Sequence, residues 1–359
     1  MKIENNVLMQ VRNNDIGPDG SFMVPDNITK IGDSAFWGCN LLQKVIISEG
    51  VTTIGKYAFD NCKSLQEVEI PASVTEIGAC AFWDCSLFQK VKIPEGVTKI
   101  GRYSFANCKS LQEVEIPESV REIGDSAFDC CKELQKVKIP EGVTKIGRYS
   151  FANCKSLQEV EIPASVKEIG DATFMGCESL QEVIIPEGVT TIGNYSFANC
   201  KSLQEVEIPV SVTKIDNYAF DACVNLSKIT WGAKSYPVRC IDGYCMHIRN
   251  QKTLQDITII KCSYFPEEEI VYVAEKGEYT AHGRTIHEAV EDLQFKILDN
   301  MDLNEHIQRI AKQGYMNAND YRLLTGACRE GTNRFLEANN LTWKDIMPVE
   351  EVLQLTKGQ

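Results

Sequence analysis

Apolar residues recur along this chain at a fixed step. Phe stands at positions 36, 59, 82, 105, 128, 151, 174, 197 and 220, nine times at an interval of 23, and Cys follows each Phe by three positions. Other positions keep the same interval: Leu65, Val68, Ile70, Val74, Ile77 and Phe82 return as Leu111, Val114, Ile116, Val120, Ile123 and Phe128. The unit reads L-x-x-V-x-I-P-x-x-V-x-x-I-G-x-x-A/S-F-x-x-C-x-x. A partial unit with Phe22, Val24, Pro25, Ile28 and Ile31 precedes the array, so ten strand positions run from Phe22 to Trp231 without an insertion. A unit of this size cannot bury its own apolar face, so neighbours must stack to share a core. The V-x-I pair alternates in and out with the two-residue period of a strand. Pro after the Ile lacks an N–H and ends that strand. Gly78 and its equivalents are expected to supply a tight bend through their free φ. Ten parallel strands about 4.8 Å apart predict a curved sheet about 45 Å long, with Phe and Cys stacked in columns in the opposite wall.

The pattern from Leu111 to Cys131 resembles the BspA-like (Treponema pallidum-type) leucine-rich repeat over about residues 22–231. The resemblance implies an α/β-type leucine-rich-repeat solenoid with a curved parallel β-sheet of 23-residue repeats on its concave side. It also implies protein or matrix binding, often at a bacterial surface.

Residues flanking the strand Val are expected to face outward on the concave side. From Glu67 to Glu161 these flanks alternate as Glu-x-Glu beside Lys-x-Lys. Opposite charges across strands favour this stacking by roughly 0.2–1 kcal/mol per pair and oppose a one-rung slip. The alternation then fails. Glu159, Glu161, Glu182, Glu205 and Glu207 occupy three adjacent rungs with Ile184 among them and no Lys between them. These six residues are the candidate partner-binding site. The competing reading is drift in a duplicated array, since residues 95–117 are identical to 141–163. Such near-identity argues against a catalytic pocket in the repeats, because an active site needs unlike groups placed once. Trp37, Trp83 and Met175, each just after a repeat Phe, form a small apolar stripe or merely cover loops.

Beyond Trp231 the interval stops, and all four histidines (His247, His282, His287 and His306) lie there. Strands are predicted at Asp256–Ile260, Glu269–Val273 and Gly277–Ala281. Thr285 with Glu288 forms a capping box opening a helix, whose apolar face is Ile286, Ala289, Val290, Leu293, Phe295 and Ile297. Further helices fit Leu303–Lys312, Asn319–Ala338 and Val349–Thr356, with Gly326 and Gly331 as possible breaks in the second. The expected organisation is an N-terminal cap over 1–21, the repeats over 22–231, and a small α+β capping or accessory domain over 232–359.

Composition narrows the function. Thirty-seven Lys+Arg against fifty Asp+Glu give a formal charge of −13. That excludes the cationic surplus needed for non-specific nucleic-acid binding. No apolar run approaches the roughly 18–20 residues of a membrane span, so membrane insertion is not expected. The first twenty residues lack the apolar stretch of a secretory signal. That points to the cytoplasm, with a cell-surface or secreted protein as the alternative. Nine of the fifteen cysteines are repeat cysteines facing inward, and are expected to be reduced, small apolar fillers. Cys240, Cys245, His247 and Cys262 have zinc-binding donor types but not a standard zinc-finger spacing. The alternative is a cap with buried cysteines. Cys328 with His306 has only residue identity in favour of a nucleophile pair. No phosphate-binding glycine motif, H-E-x-x-H or G-x-S-x-G is present. No catalytic residue, metal or cofactor is therefore assigned. The chain is expected to be a non-enzymatic scaffold that binds a protein, preferably basic, through the solenoid surface. The alternatives are a surface adhesin exported by a non-standard route and an enzyme with its chemistry in the C-terminal domain.

Overall fold

The computed structural model describes residues 1–300, 303–325, 329–343 and 345–355, with backbone only for 303–306, 325, 329–331 and 353–355. It divides into two compact units, Met1–His247 with Phe265–Glu267, and Ile248–Tyr264 with Glu268–Gln359.

In the first unit each repeat contributes to two parallel ladders. One is built from the V-x-I segments. Ser21–Met23, Lys44–Ile46 and Glu67–Glu69 pair as three parallel strands. A longer parallel run takes in Lys90–Lys92, Glu113–Glu115, Lys136–Lys138, Glu159–Glu161, Glu182–Ile184, Glu205–Ile208 and Lys228–Trp231. The ladder is interrupted between Glu67–Glu69 and Lys90–Lys92. At that point Phe88 replaces the repeat Leu and packs on Phe82, with ring centroids 5.6 Å apart. The central residue of each strand is buried, Phe22 in the first, Ile229 in the last and Val in the others. From Glu67–Glu69 to Glu205–Ile208 its flanks, Glu or Lys except for Ile184, face solvent, as in Glu113–Val114–Glu115. The alternation is that of a half-buried strand.

The second ladder consists of two-residue strands ending at the Ile of V-x-x-I, from Lys30–Ile31 to Lys214–Ile215. It lies outside the sequence expectation, because two residues carry too little periodicity to announce a strand. Its first edge is covered by an antiparallel hairpin of Lys2–Glu4 and Val7–Gln10, whose second strand pairs with Lys30–Ile31.

Between the ladders the repeat Phe rings form a column. Successive centroids lie 4.6 Å apart at Phe36–Phe59 and 5.5 Å apart at Phe197–Phe220, with planes within about 20° of parallel. The repeat thiols are placed beside them for a further reason. Each Cys Sγ donates to the carbonyl of the Phe one rung earlier, from Cys62 to Phe36 (3.0 Å) through Cys223 to Phe197 (3.1 Å). Each such carbonyl already accepts a backbone N–H of its own turn, as Phe36 does from Cys39 (3.0 Å), so a small apolar side chain with one weak donor suits the slot by filling it and adding a second bond.

The expected role of the repeat glycine is corrected. Gly78 and Gly124 do not have positive φ. They are required by close approach: a Cβ on Gly124 would meet Arg102 N at 2.8 Å and Gly101 C at 2.9 Å. Positive φ falls instead two residues before and two after each Phe, as at Tyr57 (57°) and Asn61 (60°) around Phe59.

The unit continues past Trp231. Lys228–Trp231 pairs antiparallel with Lys234–Ile241, turning at Gly232, and Lys234–Ile241 pairs with Tyr244–Leu254. That second turn is Asp242–Gly243, with φ of 49° and 88°, the two positive values a type I′ hairpin demands.

The second unit contains antiparallel strands Ile257–Tyr264, Ile270–Lys276 and Tyr279–Gly283. Helix Ile286–Asp299 packs on them through Ala289 and Leu293, which meet Ala274 and Ala281. Thr285 accepts from the Glu288 N–H at 3.2 Å, while Glu288 accepts from the Arg284 N–H, one residue before the expected partner. Ile286 is exposed rather than part of the apolar face. Phe295 lies under the Arg322 guanidinium, 3.7 Å from the ring centre. Helices follow at Leu303–Gln313, Ala318–Thr325, Arg329–Ala338 and Val349–Leu355. The single helix expected over 319–338 is thus two. Gly331 lies inside the second of them, and Gly326 lies outside the described residues. Asn317 caps the first by accepting from Asn319 N (2.9 Å) and Asp320 N (3.1 Å).

Candidate partner-binding face

Three adjacent strands of the V-x-I ladder carry the candidate residues. Glu159 and Glu161 flank Val160, Glu182 and Ile184 flank Val183, and Glu205 and Glu207 flank Val206. The three valines are at most 6% exposed, whereas Ile184 is 49% exposed. The register places Glu159 beside Glu182, Glu161 beside Ile184, and Ile184 beside Glu207. All six side chains therefore emerge on one face, with the isoleucine between two carboxylates.

The surrounding rungs show what this region lacks. Lys44 lies 3.1 Å from Glu67 and 2.7 Å from Glu69, and Lys90 lies 2.8 Å from Glu113. At the candidate face the compensation is partial. Lys136 reaches Glu159 at 3.8 Å from one side, and Lys228 reaches Glu205 at 2.5 Å from the other. Among the described residues, Glu161, Glu182 and Glu207 form no ion pair. The uncompensated set is thus smaller than the five carboxylates read from the sequence, because the rim rungs supply cations to its edges.

A depression of about 500 Å³ is lined by Gln181, Glu182, Ile184, Gln204, Glu205 and Glu207. Its shape is not special. A similar depression of about 530 Å³ is lined by Gln112, Glu113, Glu115, Gln135, Lys136 and Lys138. The repeat dictates the hollow, and only the charges and Ile184 distinguish one from another. Gln181 and Gln204 escape the sequence reading because Gln occupies that position from Gln43 through Gln204, so repetition conceals them.

Among the described residues, the other sequence candidates are not assembled into a site. Among the described residues, no group of three or more His, Cys, Asp or Glu is placed to hold a metal ion. Cys240 and Cys245 oppose each other across the Asp242–Gly243 hairpin, and His247 packs edge-on against Tyr236 at 5.1 Å. The Cys262 thiol donates to the Val271 carbonyl at 3.7 Å. Cys328 and the His306 side chain lie outside the described residues. Cys39 to Cys262 are all free thiols.

Stacked 23-residue rungs with paired parallel ladders define a leucine-rich-repeat solenoid. The chain belongs to the BspA-type leucine-rich repeat family: that family's model, "BspA type Leucine rich repeat region", matches in six copies over residues 20–135, 75–187 and 144–272. Proteins of this class generally serve in protein interaction or at surfaces, and the match indicates no enzymatic family. Three solved structures illustrate the likeness. A leucine rich cell surface protein of Faecalibacterium prausnitzii is 29% identical, with TM-score 0.40 over 58% of this chain and 72% of that one. The T. pallidum leucine rich repeat protein is 27% identical, with TM-score 0.38 over 52% and 79%. A leucine-rich repeat protein from Bacteroides ovatus is 23% identical, with TM-score 0.34 over 59% and 73%. No curated protein matches. Among the described residues, no helix is long and apolar enough to cross a membrane.

Proposed function

We propose that this protein is a non-enzymatic interaction scaffold that holds a basic protein segment across the rungs bearing Glu159 to Glu207. One observation carries the reading. The sign alternation that neutralises the ladder elsewhere stops here, leaving Glu161, Glu182 and Glu207 unpaired around the exposed Ile184. An apolar anchor ringed by like charges selects both contact and partner sign. Binding spreads over several rungs, so affinity rests on many side chains. Neither nucleic acid nor a bilayer suits a face of this sign.

The test uses the full-length chain immobilised and its captured proteins identified, beside the variants E182K/E205K and E67K/E69K. The first variant is expected to lose the captured set and its salt sensitivity. The second, placed in the balanced part of the ladder, is expected to retain both. Equal capture by E182K/E205K discards the face.

A second reading, display at the cell surface, follows from what the family resemblance implies. Protease treatment of intact native cells tests it: loss of the repeat region supports display, and full protection removes it.

A further inference from the structure

The turns that follow the repeat Phe carry a site unrelated to the acidic ladder. Trp37, Asp60 and Trp83 each stand directly after a repeat Phe, on three successive rungs. Backbone bonds fix their register. The Gly38 N–H donates to the Asp60 carbonyl at 2.9 Å, and the Asn61 N–H donates to the Trp83 carbonyl at 2.8 Å. The Phe column beneath confirms the step, with centroids 4.6 Å apart for Phe36–Phe59 and 5.0 Å for Phe59–Phe82. The two tryptophans therefore leave the backbone about 10 Å apart, two rungs of a parallel stack, with Asp60 between them. Trp37 is 63% exposed and Trp83 39%, whereas Asp60 is only 8% exposed. Together with Asn61, Asp84, Asn107 and Lys109 they line a cleft of about 310 Å³. Met175 does not extend the pair into a stripe. It is half-buried, and Ala106, Asp129 and Ala152 occupy the intervening rungs.

The carboxylate is the informative group. Burial raises the Asp60 pKa, the neighbouring Trp37 indole N–H lowers it in part, and the charge of Asp84 raises it further. Lys63 is directed to Asp84 at 3.8 Å, and although Lys109 also lines the cleft, among the described residues neither it nor any other Lys or Arg forms an ion pair with Asp60. A largely buried acid without a cation is costly to keep. Two exposed indoles over the same cleft are also unusual on a soluble surface. A cation above Asp60 satisfies both features. It would sit about 5 Å from each tryptophan's backbone position, and a cation–π contact forms where an indole face turns toward it within roughly 6 Å of the ring centre. A flat guanidinium stacks on one ring, whereas a rounded alkylammonium group spans the gap and touches both.

We propose that Trp37, Asp60 and Trp83 form a binding site for an alkylammonium cation, clasped between the indoles and neutralised by the carboxylate. Trp37 and Trp83 are two of the four tryptophans of the chain, so fluorescence reads the site directly. The full-length protein is titrated with tetramethylammonium chloride at constant ionic strength, beside tert-butanol, a neutral molecule of similar shape. Saturable quenching by tetramethylammonium and none by tert-butanol is expected. D60N should weaken binding at least tenfold, as should D60A, which the fold accepts because Ala106, Ala152 and Ala198 hold the equivalent place. W37A/W83A should abolish the signal while Trp231 and Trp343 still emit. Equal quenching by tert-butanol would show an apolar cleft without charge selection and overturn the proposal. Undiminished affinity in folded D60N or D60A would overturn it as well.

Discussion

At the scale of single residues, repetition turns one local solution into nine. The inward thiols are an example. Burial pushes Cys39 up to about 11 and Cys177 up to about 12, and the thiolate is the reactive form. At pH 8 the reactive fraction of Cys39 is on the order of one in a thousand. The repeat thiols are accordingly expected to resist a thiol reagent in the folded protein and to react on unfolding. Rapid labelling of Cys131 in the native state would contradict the placement. Glu178 shows the opposite effect. Hydrogen bonds from Lys155 (2.7 Å) and Lys201 (2.9 Å) lower its pKa to about 2. A depressed acid contributes stability above its unfolded pKa of about 4.5 and loses it as pH falls toward 2. Carboxylate chemical shifts followed from pH 6 to pH 1 should show this late midpoint, and one near 4.5 would refute the Lys–Glu–Lys chain. Gly124 tests close approach. Because an added Cβ meets only backbone atoms of the preceding rung, Gly124→Ala is expected to cost about 1–3 kcal/mol, measured by denaturant unfolding.

At the scale of elements, the legibility of the sequence follows from periodicity. The V-x-I strands are visible because Val114 faces the core while Glu113 and Glu115 do not. The Glu122–Ile123 strand is invisible, since a single buried Ile cannot state a period. Lys234–Ile241 and Tyr244–Leu254 are missed for another reason. Polar side chains such as Lys234, Ser235, Arg249 and Asn250 dilute their alternation, and only the Asp242–Gly243 dipeptide hints at the turn between them. The candidate face is legible as a broken charge alternation. Its partial neutralisation is not, because Lys136 and Lys228 stand on the neighbouring rungs rather than within it. The Phe column is the element that holds the rungs together. Phe128 is fully buried between Phe105 (5.4 Å) and Phe151 (5.3 Å). Phe128→Ala is therefore expected to cost about 3–5 kcal/mol, and a loss under about 1 kcal/mol would mean the column is not continuous there.

At the scale of the whole molecule, the charge pattern and the repeat must agree on which rungs become neighbours. Deleting residues 95–140 removes two units and joins Pro94 to Glu141, recreating a junction already present between Pro140 and Glu141. Lys90 and Lys92 then adjoin Glu159 and Glu161. Deleting only residues 95–117 sets Lys90 and Lys92 beside Lys136 and Lys138, where like charges oppose by about 0.2–1 kcal/mol per pair. The shorter deletion is expected to destabilise more, with the difference shrinking in high salt; thermal unfolding at two salt concentrations provides the comparison. Everything above depends on strands whose central side chain is sealed while its neighbours meet solvent. The most direct check is maleimide labelling of three single variants, E182C, V183C and I184C, read by mass spectrometry of the peptide containing the new thiol. Fast labelling at positions 182 and 184 with protection at 183 is the expected result. Equal labelling at all three, or protection at 182 and 184, would contradict both the stacked rungs and the face built on them.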